Sequence, residues 1–336
     1  MSRSLIATAF RLRRAYSGKH GRAPRLLRPR RFTEKIQWRK LFDFNPLFAT
    51  LCDKIAVRDY IAERVGPEHL IPLLWSGAPA DIPFDAIARP YFLKSSHSSG
   101  QVIMIGREDV LDATAIRERA ARWLTINHGL AYDEPGYAPV PPRLMIEQTV
   151  TTADGARPDE LRFFVFDGKV AVINTVFVED GRIRSGAFHT RDWTRLNWHF
   201  TRVVDRSFPR PSRLDEMITV AERLGEGLDH VRVDIYDCGD RIWIGELTLY
   251  SWSGYSRFDP DEADFELGSY WRIRSSGWRP VVAALFGGRT FGARAEMAKM
   301  TPGMRKSVAG ALERTPVGPG TGQSLDGLDA VAESLQ

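Results

Sequence analysis

Cysteine is nearly absent from the 336-residue sequence, which contains only Cys52 and Cys238. Two cysteines cannot form the disulfide framework that stabilises small secreted domains. Long apolar runs are absent as well, because no stretch of about 18 uncharged apolar residues occurs. We therefore expect no transmembrane helix and a protein of a reducing compartment, either cytoplasmic or peripheral at the inner face of the cell membrane.

Acidic side chains are absent from residues 1–31, which contain ten basic ones. Subtracting those ten from the 47 lysines and arginines leaves 37 basic residues against 42 acidic ones, so the remaining body is mildly acidic and is not expected to bind nucleic acid. A secretory signal is not expected either, because Arg11 interrupts the short apolar run. Two interpretations of residues 1–19 stay open: peripheral contact with an anionic membrane through a helix over 4–16, or a solvated, partly docked N-terminus.

The order of predicted elements is helices first and then strand pairs interleaved with single helices, which is typical of an α+β protein built on antiparallel sheets. Amphipathic spacing predicts helices that begin near Thr33 and that cover 52–65, 108–124 and 212–225. Predicted strands cover 90–94, 101–105, 144–147, 161–167, 170–178, 231–236 and 241–250. Residues 68–90 are predicted to be rich in loops, and residues 315–325 to be disordered.

Four polar residues alternate along the last predicted hairpin. A three-residue loop over 237–239 would pair Asp234 with Ile242 and Arg232 with Ile244, so that Arg232, Asp234, Glu246 and Thr248 share one face of the sheet. Burying these charges without partners is costly, and Mg²⁺ with phosphate would supply the partners. The alternative is an ordinary salt bridge on a solvated sheet face. A two-residue loop would place the four residues on different faces.

A lysine and a run of small residues lie at the end of another predicted strand. Lys94 precedes Ser95–Gly100, which we call the serine loop. A lysine in this position can reach phosphate oxygens while loop amides add donors, although the loop lacks the P-loop pattern. Polar residues also occur where one strand ends, at 147–150, and where the next begins, at Glu160 and Arg162. They indicate a hinge between two lobes or, alternatively, an ordinary sheet edge.

These elements, taken in order, resemble the ATP-grasp superfamily and most closely its TupA-like (teichuronopeptide biosynthesis-like) family. The resemblance covers about residues 20–270. The matching stretches are RRFTEKIQWRKLF at 30–42, CDKIAVRDYIAERVG at 52–66, LIPLLW at 70–75, FLKSSHSSG at 92–100, MIEQ at 145–148, ELRFFVFDGK at 160–169, HVRVDIYDCGDRIWIGELTLYSWSG at 230–254 and LG at 267–268.

The resemblance implies an ATP-grasp fold, in which two lobes with antiparallel sheets hold ATP between them. It divides the chain into five parts. These are a basic segment at 1–31, a helical N-terminal region at 32–89, a lid-like subdomain at 90–148, a core subdomain with the metal site at 149–275 and a partly disordered extension at 276–336.

The same resemblance implies roles for particular residues. Lys94 corresponds to the lysine that contacts the α- and β-phosphates, and Arg232 to the catalytic arginine that stabilises the transferring phosphoryl group. Asp234 and Glu246 correspond to the magnesium carboxylates, with Thr248 where relatives have an asparagine ligand. The remaining implied nucleotide contacts are Ser98, Ser99 and Gly100 in the loop over the phosphates, Glu147, Gln148 and Val150 towards adenine, Glu160 towards ribose and Arg162 towards phosphate.

The activity implied by the resemblance is that of a carboxylate–amine ligase that uses ATP and Mg²⁺ and proceeds through an acylphosphate. Its expected partners are a sugar acid or glycan of cell-surface polysaccharide and an amine or amino acid. Two alternatives stay open, namely phosphoryl transfer to a glycan and a non-catalytic nucleotide-binding scaffold.

Overall fold

The computed structural model describes residues 5–179, 182–200 and 206–273 of the chain. The predicted disordered stretch at 315–325 and the predicted extension at 276–336 lie outside the described residues. Eight α-helices occur within the described part of the chain. They are α1 (Leu5–His20), α2 (Phe32–Phe42), α3 (Leu47–Cys52), α4 (Val57–Val65), α5 (Ala113–Leu124), α6 (His128–Ala131), α7 (Leu214–Gly225) and α8 (Asp261–Tyr270).

Ten described strands form two antiparallel sheets. The small sheet has the order β1-β4-β2-β3 and the large sheet the order β10-β9-β5-β6-β7-β8. The strands are β1 (Leu73–Gly77), β2 (Tyr91–Ser95), β3 (Val102–Ile105), β4 (Leu144–Gln148), β5 (Asp159–Phe166), β6 (Lys169–Glu179), β7 (Arg182–Thr190), β8 (Arg195–Leu196), β9 (His230–Asp237) and β10 (Ile242–Thr248). The α+β class with antiparallel sheets is therefore confirmed.

The large sheet lies between two layers of helices. On one face, α7 packs its apolar side against β5, β6 and β9, and the Tyr60 hydroxyl of α4 donates to the carbonyl of Leu224. On the other face, Phe32 of α2 packs edge-on against Phe164, Phe166 and His230. Burying aromatic side chains of this size stabilises the fold by about 2 kcal/mol each. Helices α2 and α8 thus cover one end of this face.

The small sheet has one covered face. Its inner side chains, among them Tyr91, Leu93 and Ile146, pack with Ala120 and Trp123 of α5. Helix α5 begins where the Asp112 side chain accepts a hydrogen bond from the Ala115 amide at 2.9 Å. Because side chains alternate along a strand, the opposite face carries the side chains that α5 does not cover.

Two local differences from the sequence predictions have clear causes. The helix predicted over 52–65 begins only at Val57, because Asp53 has an extended backbone and its carboxylate accepts a hydrogen bond from the Ile55 amide at 2.9 Å. Strand β1 lies in the stretch predicted as loop and in the range assigned to the helical region. It occupies an edge of the small sheet between Pro72 and Pro79, where prolines next to a strand are tolerated.

Candidate functional site

The hairpin of β9 and β10 carries the four polar residues that the sequence singles out, but its register differs from the prediction. Asp237 pairs with Ile242, so the loop has four residues and not three. Such a loop alone would place the four residues on different faces. A bulge between Ile244 and Glu246 adds one residue and corrects this, because beyond it Glu246 lies opposite Asp234 and Thr248 opposite Arg232.

Gly245 is the extra residue of that bulge. A Cβ atom at this position would lie 2.8 Å from Cε2 of Tyr236, closer than carbon atoms approach without displacement. The absence of a side chain therefore permits the bulge, and the bulge places Glu246 on the same face as Asp234.

Arg232 and Asp234 form a two-pronged ion pair. Nε of Arg232 donates to Oδ1 of Asp234 at 2.7 Å, and Nη2 donates to Oδ2 at 2.6 Å. Nη2 also donates to the Thr248 hydroxyl at 3.1 Å, and the guanidinium lies 5.2 Å from the ring of Trp252. Burial raises the pKa of Asp234 above its ordinary value, although Arg232 opposes this effect. The Thr248 hydroxyl is therefore a partner of Arg232, and its role as a metal ligand stays a prediction.

Strand β5 extends this polar face. Arg162 lies opposite Asp234, its Nε donating to Oε1 of Glu160 at 2.8 Å and lying 3.8 Å from Oδ2 of Asp234. Burial alone would lower the pKa of Arg162, but the carboxylates of Glu160 and Asp234 raise it. Glu160, Arg162, Asp234 and Glu246 thus form a continuous charged stripe across three neighbouring strands.

The uncovered face of the small sheet carries Lys94. Its ammonium donates to Oε2 of Glu147 at 2.8 Å and lies 5.4 Å from the ring of Phe92. Val102 lies opposite Lys94, and Met104 opposite Phe92. Val102 and Met104 are 42% and 55% exposed, so this face offers apolar surface beside a cation. Gln148 is exposed at the end of β4, and Val150 is half-buried just beyond it.

The serine loop turns between β2 and β3. Ser99 and Gly100 are exposed, and Gly100 has a φ of 75°, which glycine adopts without strain. Ser98 differs from its neighbours, because its side chain is buried and its hydroxyl lies 3.1 Å from Nδ1 of His128. Of the three loop residues predicted to contact phosphate, only Ser99 and Gly100 are exposed.

Two cations of the site were missed in the sequence analysis. The ammonium of Lys54 lies 3.4 Å from Oε1 of Glu246 and donates to the carbonyl of Ser98. Arg58 lies 3.4 Å from Oε1 of Glu147 and donates to the carbonyl of Ile71 at 2.8 Å. These residues are four apart within the helix predicted over 52–65, a spacing that could have indicated a shared role, although Lys54 lies in the turn before α4 and only Arg58 is helical.

Lys54 connects the two sheets, because its ammonium lies 3.4 Å from Oε1 of Glu246 on β10 and donates to the carbonyl of Ser98 in the loop that follows β2. Burial alone would raise the pKa of Glu246, but the charges of Lys54, Arg232 and Lys94 lower it below the ordinary value. Lys94 is on the small sheet and Glu246 on the large one, so charged groups of both sheets meet in one cleft. This cleft contains cations suited to phosphate and two carboxylates suited to a hard divalent ion.

Within residues 5–179, 182–200 and 206–273, no group of three or more His, Cys, Asp and Glu side chains is arranged to hold a metal ion. Asp234 and Glu246 lie directly opposite each other but are held by Arg232 and Lys54. Two carboxylates suit Mg²⁺, which retains water and binds phosphate oxygens besides its protein ligands. The donor set therefore fits Mg²⁺ that arrives together with a phosphate ligand.

A family model described as TupA-like ATPgrasp matches residues 34–272, about seven tenths of the chain. The chain belongs to the TupA-like ATP-grasp family. Its two antiparallel sheets and N-terminal helices accordingly form an ATP-grasp fold, and the resemblance noted in the sequence is confirmed.

Solved ATP-grasp structures are similar to this family member at low identity. D-alanine–D-alanine ligase from Bacillus anthracis is 13% identical with a TM-score of 0.40, over 75% of this chain and 70% of that one. ATP-grasp ligase PsnB with a minimal precursor is 14% identical with a TM-score of 0.37, over 67% and 62%. N5-carboxyaminoimidazole ribonucleotide synthetase from Thermus thermophilus is 12% identical with a TM-score of 0.34, over 59% and 45%. No curated protein matches the sequence.

Proposed function

We propose that this protein is an ATP-dependent carboxylate–amine ligase that proceeds through an acylphosphate. The observation that carries the proposal is that Lys54 contacts both Glu246 on the large sheet and the carbonyl of Ser98, in the loop that follows Lys94 on the small sheet, while Arg232 and Asp234 lie beside Glu246. Family membership supports the use of ATP, and the cleft offers charges of both signs where phosphates and a divalent ion would need them.

The nucleotide is proposed to lie across the small sheet. Adenine suits the exposed apolar surface of Val102 and Met104 and the backbone of Glu147, Gln148 and Val150. Glu160 is proposed to bind ribose. The phosphates suit Lys94, Lys54, Arg162 and the exposed backbone of Ser99 and Gly100. Ser98 is proposed to support the loop, because its side chain is buried.

Asp234 and Glu246 would hold Mg²⁺. When bound, Mg²⁺ would neutralise negative charge on the phosphates of ATP. The Thr248 hydroxyl accepts a hydrogen bond from Arg232, so we propose that it orients this arginine towards the transferring group.

The proposed reaction has two steps. A carboxylate oxygen of the acid attacks the γ-phosphorus of ATP, the bond to the bridging oxygen breaks, and ADP leaves. The amine nitrogen then attacks the acyl carbon, the carbon–oxygen bond to phosphate breaks, and the amine loses a proton. Arg232 would stabilise the negative charge that develops on the phosphoryl oxygens, an effect of about 3 kcal/mol for a well-placed donor.

The proposed substrates are a sugar acid of cell-surface polysaccharide and an amine or amino acid, and the proposed location is cytoplasmic. Helix α1 supports peripheral contact with an anionic membrane. Ile6 and Phe10 are 61% and 69% exposed on the same side of the helix, whereas Leu12 and Tyr16 are buried against the body. Arg13 and Arg14 are exposed nearby. None of the helices in the described part of the chain has the length and apolar character needed to cross a membrane.

The experiment is a screen of uronic-acid glycans and amino acids with Mg·ATP, with ADP, AMP and phosphate measured separately. We expect ADP and phosphate in equal amounts, and only when acid and amine are both present. Release of AMP contradicts the acylphosphate route. Formation of ADP without free phosphate, with a phosphorylated glycan, identifies a phosphoryl transferase, and ATP binding without turnover on any substrate pair favours a scaffold.

A further inference from the structure

A buried chain of polar contacts begins at Ser98 in the serine loop. The Ser98 hydroxyl lies 3.1 Å from Nδ1 of His128, whose Nε2 lies 3.3 Å from Oε2 of Glu134. The three residues are at most 6% exposed. Contacts of this kind between buried groups are costly to break, because each group then lacks a partner.

Glu134 connects this chain to the end of strand β10. Its Oε1 accepts a hydrogen bond from the Ser253 hydroxyl at 2.7 Å, and Lys40 lies 3.6 Å away. Burial alone would raise the pKa of Glu134, but Lys40 and His128 lower it below the ordinary value. An ionised carboxylate only accepts, so Nε2 of His128 donates to it, and Nδ1 of the uncharged ring accepts from the Ser98 hydroxyl, to which it is closer than the Ser99 carbonyl at 3.3 Å.

The imidazole of His128 has little freedom to rotate. Its ring centroid lies 4.4 Å from that of Tyr132 and 4.6 Å from that of Tyr137. The next residue, Gly129, packs so closely that a Cβ atom there would lie 2.3 Å from the amide nitrogen of Ala138. Packing therefore fixes the position from which Nδ1 meets Ser98.

Ser98 is held a second time through its main chain. Its carbonyl accepts a hydrogen bond from Lys54, which also lies 3.4 Å from Glu246. The hydroxyl of Ser98 is thus connected through His128 and Glu134 to Ser253, in the turn after β10. The carbonyl of Ser98 is connected through Lys54 to the carboxylate of Glu246 on β10. Ser99 and Gly100, the exposed residues of the loop, follow directly.

We propose that His128 is a positioning residue that fixes the serine loop through the hydroxyl of Ser98, so that the backbone of Ser99 and Gly100 faces the phosphates of ATP. The contact with ATP rests on the proposed function, whereas the fixing of the loop does not. No substrate contact is assigned to His128, since it is buried behind the loop.

The test compares two replacements of similar shape. The side-chain amide of asparagine lies near the position of Nδ1, and that of glutamine near Nε2. His128→Asn therefore keeps a partner for Ser98, and His128→Gln keeps one for Glu134. We expect Ser98→Ala and His128→Gln each to raise the Kd for Mg·ATP about tenfold, and His128→Asn to stay within about twofold of the wild type.

The double variant Ser98→Ala/His128→Gln should bind Mg·ATP no more weakly than Ser98→Ala, because both changes remove the same contact. His189→Asn, at another buried histidine that stacks on Trp193, controls for the loss of a buried ring and should leave the Kd unchanged. Equal losses of affinity for Mg·ATP in His128→Asn and His128→Gln overturn the proposal. A loss of affinity in the double variant equal to the product of the two single losses overturns it as well.

Hydrogen–deuterium exchange of residues 95–101 without nucleotide gives a readout that needs no ATP. We expect faster exchange in Ser98→Ala and His128→Gln than in the wild type and His128→Asn. Unchanged exchange in Ser98→Ala overturns the positioning role even if His128→Gln fails to fold. If the wild-type chain binds no Mg·ATP, the proposed function fails, and the exchange rates alone decide whether His128 fixes the loop.

Discussion

Asp234 and Glu246 lie opposite each other on neighbouring strands, yet different cations hold their carboxylates. Arg232 binds both oxygens of Asp234, and Lys54 lies 3.4 Å from Glu246. The two carboxylates also differ in acidity, because the pKa of Asp234 is raised and that of Glu246 is lowered. The charges around Glu246 therefore favour its ionised form, whereas burial opposes ionisation of Asp234.

Replacement of Glu246 by glutamine tests its proposed metal role. Glu246→Gln should lower kcat at least about a hundredfold, because a neutral amide is a poor ligand for Mg²⁺. The fold should persist, since Glu246 is 31% exposed at its side chain. Steady-state kinetics over a range of Mg²⁺ concentrations, with circular dichroism, provide the measurement.

Glu216→Gln is the matched control for that replacement, because Glu216 forms a surface ion pair with Arg213 and contacts none of the residues assigned to the cleft. It should retain wild-type turnover. Full turnover in Glu246→Gln would contradict the metal assignment.

Strand β10 shows how one element depends on a single glycine. Gly245→Ala should press a Cβ atom against the Tyr236 ring and shift the bulge that places Glu246. We expect turnover to fall at least about tenfold, with a loss of about 1–3 kcal/mol in the free energy of unfolding. Activity assays and urea unfolding measure the two effects.

The double variant Gly245→Ala/Tyr236→Ala removes the ring that the new methyl group would meet. It should regain part of the turnover lost in Gly245→Ala. A further loss in the double variant would show that the glycine matters for a reason other than this close approach.

Helix α1 ends at a buried histidine, His20, whose protonation depends on pH. Burial lowers the pKa of His20 from 6.5 to about 4, although its Nε2 lies 3.2 Å from the Gly254 carbonyl. The unfolded chain therefore binds more protons between these values. The stability that depends on neutral His20 is complete above about pH 6.5 and is lost as the pH falls towards about pH 4.

Urea unfolding at about pH 7.5 and about pH 5 should show a loss of about 1–2 kcal/mol from His20 alone. His20→Gln, whose amide can still donate to the Gly254 carbonyl, should show a smaller loss over the same interval. His69→Gln is the control at a histidine outside α1. An identical pH dependence in His20→Gln and the wild type would contradict this account.

Membrane contact is a property of the whole molecule, because it needs a surface and not a single bond. Deleting α1 would remove the buried Leu12 and Tyr16 together with the exposed face, so smaller changes test the contact better. Ile6→Ser/Phe10→Ser should reduce binding to anionic vesicles at least about tenfold, since burial of each apolar side chain contributes about 2 kcal/mol.

Vesicle sedimentation at low and high salt measures this binding, which should weaken with salt if the arginines contribute. Val110→Ser is the control, because Val110 is fully exposed and lies outside α1. Equal binding of the double variant and the wild type would exclude contact through this face.

Local patterns in the chain were sufficient to recognise several elements and the family. Periodicity placed helix α7 within two residues of its observed start, and the strands predicted over 161–167 and 170–178 correspond to the paired strands β5 and β6. The polar set Arg232, Asp234, Glu246 and Thr248 was also recognised in the sequence. Alternation along a strand and turn propensity are short-range properties, so they can be inferred from neighbouring residues.

The partners of those residues depend on the tertiary structure. The four-residue loop shifts the pairing of β9 with β10 by one residue, and the bulge at Gly245 shifts it back. Neither feature follows from the spacing of residues in a single sequence. Lys54 and Glu246 are far apart in the chain and meet because the turn between α3 and α4 and the serine loop lie beside β10. The buried position of Ser98 has the same origin, since its partner His128 reaches it from another element. Contacts between segments that are distant in the chain form only when the whole fold packs together, so the spacing of residues along the sequence does not indicate them.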